Sequence, residues 1–388
     1  MFLGVLPLFV LAHFGHHLHA ALLVPLTPYI RDDFALDYTK AGVLVSVFTI
    51  AYGISQLPAG WLADRIGRRV LIGVGVSGVA LCGILAALSP TYAVLVACLV
   101  LLGVAGGGYH PSAAPLITES VDPQKRGRAL GFHQIGGSVG FFLVPLIAAG
   151  TAAALGWRGS FIVLAIPVII FGVFLYWFLG RRKDTAAVVR EVSDSDSIEG
   201  SQSRSRRLVP FLALSVAGQS VIFSVVSFLP LFAVDNLGAT EEMAAVFLSV
   251  AYSAGLWSGP LGGYLSDRFG AIPVMLVASL LAGPAIYLLN LVTYGWSIVL
   301  VVMVIGMCMD MRMPVSEVYV IGHTTERNRS TVLGIYYFAS RGGPGIVTPV
   351  LGYLIDRFGF GTGFTVMGAG LFGVVLVCAL FLRANRAD

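Results

Sequence analysis

The chain has 388 residues, of which 57% are hydrophobic and only 11% are charged, and its net charge is +4. Soluble domains carry about 25% charged residues, so this composition excludes an ordinary soluble protein. Apolar stretches of about twenty residues recur along the whole length, which predicts an all-α membrane protein that crosses a lipid bilayer many times. We expect no nucleic-acid partner and no barrel of short alternating strands.

Twelve membrane-spanning helices are predicted in chain order. The first apolar stretch lacks a basic start and a small-residue cleavage site, so it is interpreted as a helix and not as a signal peptide. The predicted spans cover residues 4–30, 41–63, 70–88, 93–118, 129–153, 158–179, 209–234, 244–265, 272–290, 296–321, 332–355 and 363–382.

A polar, Ser-rich linker at 181–208 separates a six-helix half at 1–180 from a second half at 209–388. With the N-terminus inside, the loops on the linker side and the C-terminal tail hold 18 Lys and Arg residues, and the opposite loops hold 4. This bias predicts cytoplasmic termini and a cytoplasmic linker, in the inner (cytoplasmic) membrane of a prokaryote.

The two halves repeat each other at a constant offset of 203 residues. GWLADRIGRR at 60–69 recurs as GYLSDRFGAI at 263–272. The same offset pairs further residues from the first helix of each half to the fifth, namely Pro7 with Pro210, Pro111 with Pro314, Arg126 with Arg329, Gly131 with Gly334 and Gly140 with Gly343. Such a repeat predicts two parallel halves with a solute site between them near the bilayer midplane.

GWLADRIGRR closely resembles the signature of the major facilitator superfamily in the loop between the second and third helices, and GYLSDRFG resembles its copy in the second half. GGGYHPSAAPLITE at 106–119 and GFHQIGGSVGFFLVPLIAA at 131–149 resemble the fosmidomycin-resistance branch. This resemblance implies the major facilitator fold and export driven by proton exchange. The chain departs from the branch at His16-His17, where the branch has Asn-Asp, so its coupling groups have to be sought among its own residues.

The signature loop predicts a conformational latch. A carboxylate at the end of the second helix can accept hydrogen bonds from a neighbouring helix start or pair with an arginine, and nearby glycines allow a tight turn. The alternative is a fixed contact between helices that never breaks. The latch residues are Gly60, Asp64, Arg65, Gly67 and Arg68, with Asp267 and Arg268 in the second copy.

Four charged residues are predicted inside the membrane. Ionised side chains there are costly, so they should face a cavity or one another. Arg341 and Arg312 are predicted to bind an anionic substrate, because a guanidinium matches carboxylate or phosphonate in a fork. Alternatively, Asp310 or Glu317 neutralises Arg312 and no solute binds there.

The first half offers histidines instead of charges. His13, His16 and His17 share one face of a helix, whereas His19 points elsewhere. His17 and His16 are predicted to couple proton movement, as are Asp310 and Glu317, because histidine titrates near physiological pH. Metal binding and a purely structural role remain as alternatives. His13 and His110 are predicted to contact the substrate, together with Tyr109 and Tyr336 at a similar depth.

The sequence therefore predicts a proton-coupled secondary transporter of a small, anionic organic solute. Export by antiport is favoured, and the alternative is uptake of an organic or inorganic anion, or of a transition metal through the histidines of the first helix. We expect no enzymatic activity, no cofactor, no bound metal and a monomeric protein.

Overall fold

The computed structural model describes the backbone of residues 5–181, 201–324 and 326–384, and the side chains of these residues except 64, 123, 201–206, 326–331 and 383–384. This part of the chain is helical throughout and contains no strand. Its α-helices are α1 (Leu6–Ala20), α2 (Leu23–Phe34), α3 (Tyr38–Ile66), α4 (Arg68–Gly73), α5 (Val79–Ala87), α6 (Tyr92–Gly107), α7 (Tyr109–Glu119), α8 (Arg126–Gly180), α9 (Ser201–Asp235), α10 (Glu241–Ser253), α11 (Ser258–Phe269), α12 (Ala271–Leu288), α13 (Trp296–Asp310), α14 (Arg312–His323) and α15 (Glu326–Ala384). One π-helical turn (Val74–Gly78) joins α4 to α5, and 3-10 turns lie at Pro123–Lys125 and Ala254–Leu256.

These helices form twelve membrane spans within the described residues. Ten helical stretches, some of which contain a short turn, are long and apolar enough to cross a membrane. Two of them, α8 and α15, are interrupted at Gly156 and Gly359, where φ is +70° and +79°, so each crosses twice. The twelve predicted spans are thereby confirmed. The division of the chain at 180 and 209 stays a prediction, because residues 182–200 lie outside the described part.

Several spans that the sequence predicts as continuous are broken in the structure. Span 4 breaks at Gly108, between α6 and α7, and span 10 breaks at Met311, between α13 and α14. Pro111 and Pro314 follow three residues later, and each lacks the N–H that would bond to the carbonyl four residues earlier. Proline in the first turn of the new helix therefore explains why both breaks occur where they do.

The offset of 203 residues extends to backbone details that the sequence did not reveal. Gly103 brings span 4 against the carbonyl of Phe48 in span 2, and Gly306 brings span 10 against the carbonyl of Ala251 in span 8. Further equivalent pairs are the helix breaks Gly108 and Met311, the positive-φ glycines Gly67 and Gly270, the interrupting glycines Gly156 and Gly359, and the N-caps Asp37 and Thr240. The repeat is thus a structural repeat, and the two halves share one architecture.

The bundle has two ends that matter for function. We call the end where α8 finishes and α9 begins the linker end, and the end that carries the α2–α3 and α9–α10 turns the far end. Spans 2 and 11, formed by α3 and the first part of α15, run antiparallel along the boundary between the halves and pack closely there.

Candidate functional site

A cavity lies between the two halves in the middle of the bundle. Spans 1, 2 and 5 line it from one half, and spans 7, 8 and 11 line it from the other. Most of the wall is apolar, with Phe48, Phe141 and Phe223 among the larger side chains. The polar side chains of the wall are His17, Thr49, Tyr52, Gln219, Tyr252, Ser340 and Arg341.

Arg341 is the cation of this cavity. Its guanidinium has no carboxylate within 4.0 Å among the described residues, and its one recorded contact is a weak one, 4.0 Å from Nη2 to the sulfur of Met313. A membrane-embedded charge without a fixed counter-ion is unfavourable unless water or a ligand compensates it. Arg341 is therefore suited to hold an anionic solute.

Two acids stand near Arg341 without pairing with it. Asp310 ends α13 at the break of span 10 and packs against Gly255, where an added Cβ would lie 2.9 Å from Oδ2. Glu317 accepts a hydrogen bond of 2.8 Å from the hydroxyl of Tyr337. Both carboxyl groups are close enough to Arg341 to interact with it electrostatically. Among the described residues, the cavity region thus holds one cation and two acids, but no direct ion pair.

Arg312 lies outside this cavity. It is 1% exposed and donates hydrogen bonds to the Ser279 hydroxyl (2.7 Å) and to the carbonyls of Leu214 (2.7 Å) and Ser215 (3.0 Å). It is the first residue of α14, and the break at Met311 turns it toward spans 7 and 9. Arg312 therefore joins three spans of the second half, and neither acid neutralises it.

The two tyrosines predicted to contact the substrate are also buried away from the cavity wall. Tyr109 is fully buried and donates to the carbonyl of Phe9 over 3.4 Å. Tyr336 is 4% exposed and lies 3.4 Å from the hydroxyl of Ser215. Neither side chain is among those that line the cavity.

Five histidines converge inside the first half, behind the cavity wall. Three come from α1, one from α7 and one from span 5, and His19 is not among them because its Nε2 faces the Phe161 carbonyl. The rings of His13 and His133 stack at 4.2 Å between centroids, and His110 lies 5.0 Å from His13. We call His13, His16, His17, His110 and His133 the histidine cluster. Only His17 of the cluster also lines the cavity.

The far end is closed by polar contacts between the halves. Asp235 forms an ion pair with Arg31 and accepts a hydrogen bond of 2.8 Å from the hydroxyl of Tyr38. Asp356 accepts from the backbone N–H groups of Tyr38 (2.9 Å) and Thr39 (2.8 Å), and also from the Thr39 hydroxyl. Asp356 therefore caps the start of α3 from the opposite half.

These contacts, which we call the far-end gate, were not predicted from the sequence. Its signal was present in the chain, because residues 352–359 read GYLIDRFG and repeat the GYLSDRFG of 263–270. That third copy lies at the turn between spans 11 and 12, on the face opposite the other two copies.

The predicted latch residues lie at the linker end, where no hydrogen bond or ion pair joins the described residues of the two halves. The side chain of Asp64 lies outside the described part. Arg65 stacks on the Trp61 ring at 4.1 Å, and Arg68 pairs with Glu119 of its own half at 2.6 Å. A Cβ on Gly60 would meet nothing within 4 Å, whereas Gly67 adopts φ +93° in the turn. In the second copy, Asp267 is exposed and Arg268 lies 3.4 Å from the Tyr264 hydroxyl.

Comparison with known proteins agrees with the fold and its repeat. The family model of the Major Facilitator Superfamily matches residues 9–259 and 234–388. The chain belongs to this superfamily. It is therefore a multi-pass membrane transport protein and not an enzyme.

Individual relatives are distant but extend over nearly the whole chain. The cis,cis-muconate transport protein of Acinetobacter baylyi is 25% identical over 375 residues, which cover 92% of this chain and 89% of that protein. The multidrug resistance protein MdtG of Salmonella paratyphi C is 25% identical over 379 residues, covering 94% and 92%. A solved structure of a POT family transporter in complex with a thioalcohol-conjugated peptide has a TM-score of 0.82 at 15% identity and covers 98% of this chain and 96% of that one. This last likeness concerns the fold alone.

Proposed function

We propose that the protein carries a small organic anion across the cytoplasmic membrane by alternating access, coupled to protons, as a monomer with both termini in the cytoplasm. The observation that supports this best is that the guanidinium of Arg341, in a cavity between the two halves, forms no ion pair with any residue that the structure describes. A relative named for the transport of muconate, an organic anion, is consistent with it.

The anion binds through one cation and a largely apolar wall. Arg341 offers a forked pair of N–H donors that fits a carboxylate, and Gln219 and Tyr252 supply further polar atoms from the same half. Phe48 and Phe141 of the other half can cover the apolar body of the solute. Since the wall comes from both halves, a bound solute contacts both, as alternating access requires. Arg312 joins α14 to α9 and α12 behind the site and stabilises the second half, not the solute.

Asp310 is the proposed proton carrier, with Glu317 as a second acid. Both carboxyl groups lie near the guanidinium of Arg341, and opposite charges attract one another. An anion bound to Arg341 weakens this attraction, so Asp310 takes up a proton when the anion binds and releases it when the anion leaves. The parts predicted for His17 and His16 in coupling stay predictions, and this scheme does not depend on them.

This linkage favours movement of the proton and the anion in the same direction, which is uptake when the proton gradient points inward. Export by proton antiport, which the fosmidomycin-resistance resemblance implies, is the second candidate. A relative named as a multidrug resistance protein is consistent with export.

The test uses purified protein in liposomes that contain a pH-sensitive dye. Carboxylates, a sulfonate and a phosphonate are added outside, each beside a neutral amide of the same size. Symport predicts that one class of anion acidifies the interior, and antiport predicts that it makes the interior alkaline. Neutral amides should have no effect. Anion flux without any pH change would exclude proton coupling, and equal responses to amides would exclude anion recognition.

Arg341 variants test the site itself. Arg341→Ala removes charge-assisted hydrogen bonds worth about 1.5–3 kcal/mol, so the anion affinity should fall roughly 10- to 150-fold. Arg341→Lys keeps the charge but not the forked pair of donors, so its anion affinity should lie between that of the wild-type protein and that of Arg341→Ala. The matched control is Arg357→Ala, because Arg357 is exposed and lies over the ring of Tyr353 outside the cavity. If Arg341→Ala and Arg357→Ala bind the anion equally well, Arg341 is not the site.

A further inference from the structure

We propose that the histidine cluster is a binding site for one divalent transition-metal ion of the zinc, cobalt or nickel class, held by His13, His110 and His133 with His17 at the fourth position. Imidazole nitrogen is a preferred ligand of these ions. The inference is independent of the proposed transport function, because it concerns a site inside one half and is tested without any solute.

The first support is the spacing of the ring nitrogens. One nitrogen each from His13, His110 and His133 lies within 4.8 Å of the others, and the same holds for His16, His17 and His110. The Nε2 atoms of His13 and His17 are 3.1 Å apart. Two imidazoles on a tetrahedral ion, each with a metal–nitrogen distance of about 2.0–2.1 Å, have their nitrogens about 3.3 Å apart. Closing the site therefore needs rotations of the side chains and, for His17, a ring flip or transfer of its proton from Nε2 to Nδ1.

The second support is the way in which the rings are oriented. His13 Nδ1 faces the carbonyl of His133 at 2.8 Å, and His133 Nδ1 faces the carbonyl of Phe9 at 3.1 Å. A carbonyl only accepts, so both Nδ1 atoms must carry the proton, and the free lone pair of each neutral ring is on Nε2. His16 is held in the same way by the carbonyl of Gly75 at 2.7 Å. This arrangement, a backbone acceptor on one nitrogen and a free lone pair on the other, is the one that metal-binding histidines use.

The third support is a set of buried nitrogens without a partner. His110 Nε2 and His17 Nδ1 are buried and form no hydrogen bond. Since the Nε2 of His13 carries a lone pair, the Nε2 of His17 must donate to it, which leaves a second lone pair on the Nδ1 of His17. Buried acceptors without a partner are destabilising, and a cation bound among them removes that cost. Each half could have carried such a cluster, but the equivalent positions of the second half are Val216, Gln219, Ser220, Met313 and Tyr336.

The position of the histidine cluster also gives a metal ion a route from the cavity. His17 lines the cavity between the halves, so an ion can reach the cluster from water in the cavity without crossing lipid. The cluster itself contains no carboxylate among the described residues, so an oxygen-preferring ion such as Mg²⁺ or Ca²⁺ should not bind there.

The test is equilibrium dialysis of the full-length protein, purified without a polyhistidine tag, against Co²⁺, Ni²⁺ or Zn²⁺, with Mg²⁺ as the negative control. We expect one ion per chain, and visible ligand-field absorption of the Co²⁺ form that reports tetrahedral nitrogen ligands. Affinity should fall by at least about 100-fold in His110→Ala, beyond the 10- to 100-fold that follows loss of an outer partner.

Controls keep the result interpretable. His110→Ala breaks no recorded hydrogen bond, because its Nε2 has none, so the variant should fold. His133→Gln removes a second ligand independently. His323→Ala is the matched control, since His323 lies outside the cluster and faces the carbonyl of Tyr319 at 2.8 Å. The proposal is overturned if the wild-type protein binds no ion, or if the His110 and His323 variants bind it equally.

Discussion

Removal of the Asp356 carboxylate should open the far end of the transporter. In the structure this side chain accepts hydrogen bonds from the N–H groups of Tyr38 and Thr39 at the start of α3, across the boundary between the halves. A side-chain cap of this kind contributes about 0.5–2 kcal/mol. The Thr39 hydroxyl adds a further bond, but the site is exposed to water, so we take about 1–2 kcal/mol for the whole contact.

That free energy sets the expected population change. Each 1.4 kcal/mol corresponds to about a factor of ten in an equilibrium constant. Asp356→Ala should therefore lower the ratio of far-end-closed to far-end-open molecules roughly 5- to 30-fold. The contact does not hold either half together internally, so thermal stability should change little.

The assay is a distance measurement between spin labels at the far end. Leu88→Cys and Leu291→Cys, in a background without the four native cysteines, place labels at exposed and equivalent positions of the two halves. Asp356→Ala should increase the share of long distances. Asp37→Ala is the matched control, because Asp37 caps the same helix start from within its own half by accepting from the N–H of Lys40 at 2.7 Å. If both variants give the same distance distribution, the cross-half cap does not control the far end.

Three further predictions concern the predicted latch, the buried Arg312 and the packing of spans 2 and 11. Asp64→Asn should slow turnover without weakening solute binding, and unchanged turnover in a transport assay would argue against a latch at the linker end. Arg312→Leu leaves the Ser279 hydroxyl and two carbonyls without their donor, so the free energy of unfolding should fall by about 1–3 kcal/mol in a thermal melt while folded protein keeps its solute affinity. Gly53→Ala places a Cβ 3.1 Å from the backbone nitrogen of Gly342, so it should push spans 2 and 11 apart and lengthen the spin-label distance. Gly60→Ala is the control, because a Cβ there meets nothing within 4 Å and should leave the distance unchanged.

Much of the arrangement of the spans was predictable because the sequence contains the same pattern twice. The constant offset of 203 residues predicted two equivalent halves, and the same offset relates the breaks at Gly108 and Met311. The period of the helix also separated His13, His16 and His17 from His19, which the structure places against the Phe161 carbonyl. Such features depend on local sequence and on spacing, which are both visible without coordinates.

The direction of individual side chains was not predictable. Arg341 was the preferred anion ligand because no acid lies near it in sequence, but Arg312 was predicted beside it, and the structure places Arg312 against Ser279, Leu214 and Ser215 of its own half. The role of Asp356 depends on the antiparallel contact of spans 2 and 11, which joins residues more than 300 positions apart. The convergence of His110 and His133 on the first helix likewise depends on how three spans cross.

The GxLxDRxG pattern at the ends of spans 2 and 11 has a thermodynamic consequence. Asp356, at the end of span 11, caps the start of span 2 at the far end. Asp64 occupies the corresponding place at the end of span 2, toward the start of span 11 at the linker end. If the predicted latch at Asp64 forms when the Asp356 cap breaks, the free energies of the two contacts oppose each other in the balance between the access states. The equilibrium constant between the two access states then lies closer to one than either contact alone would set it, and a solute needs a smaller difference in affinity to shift it either way.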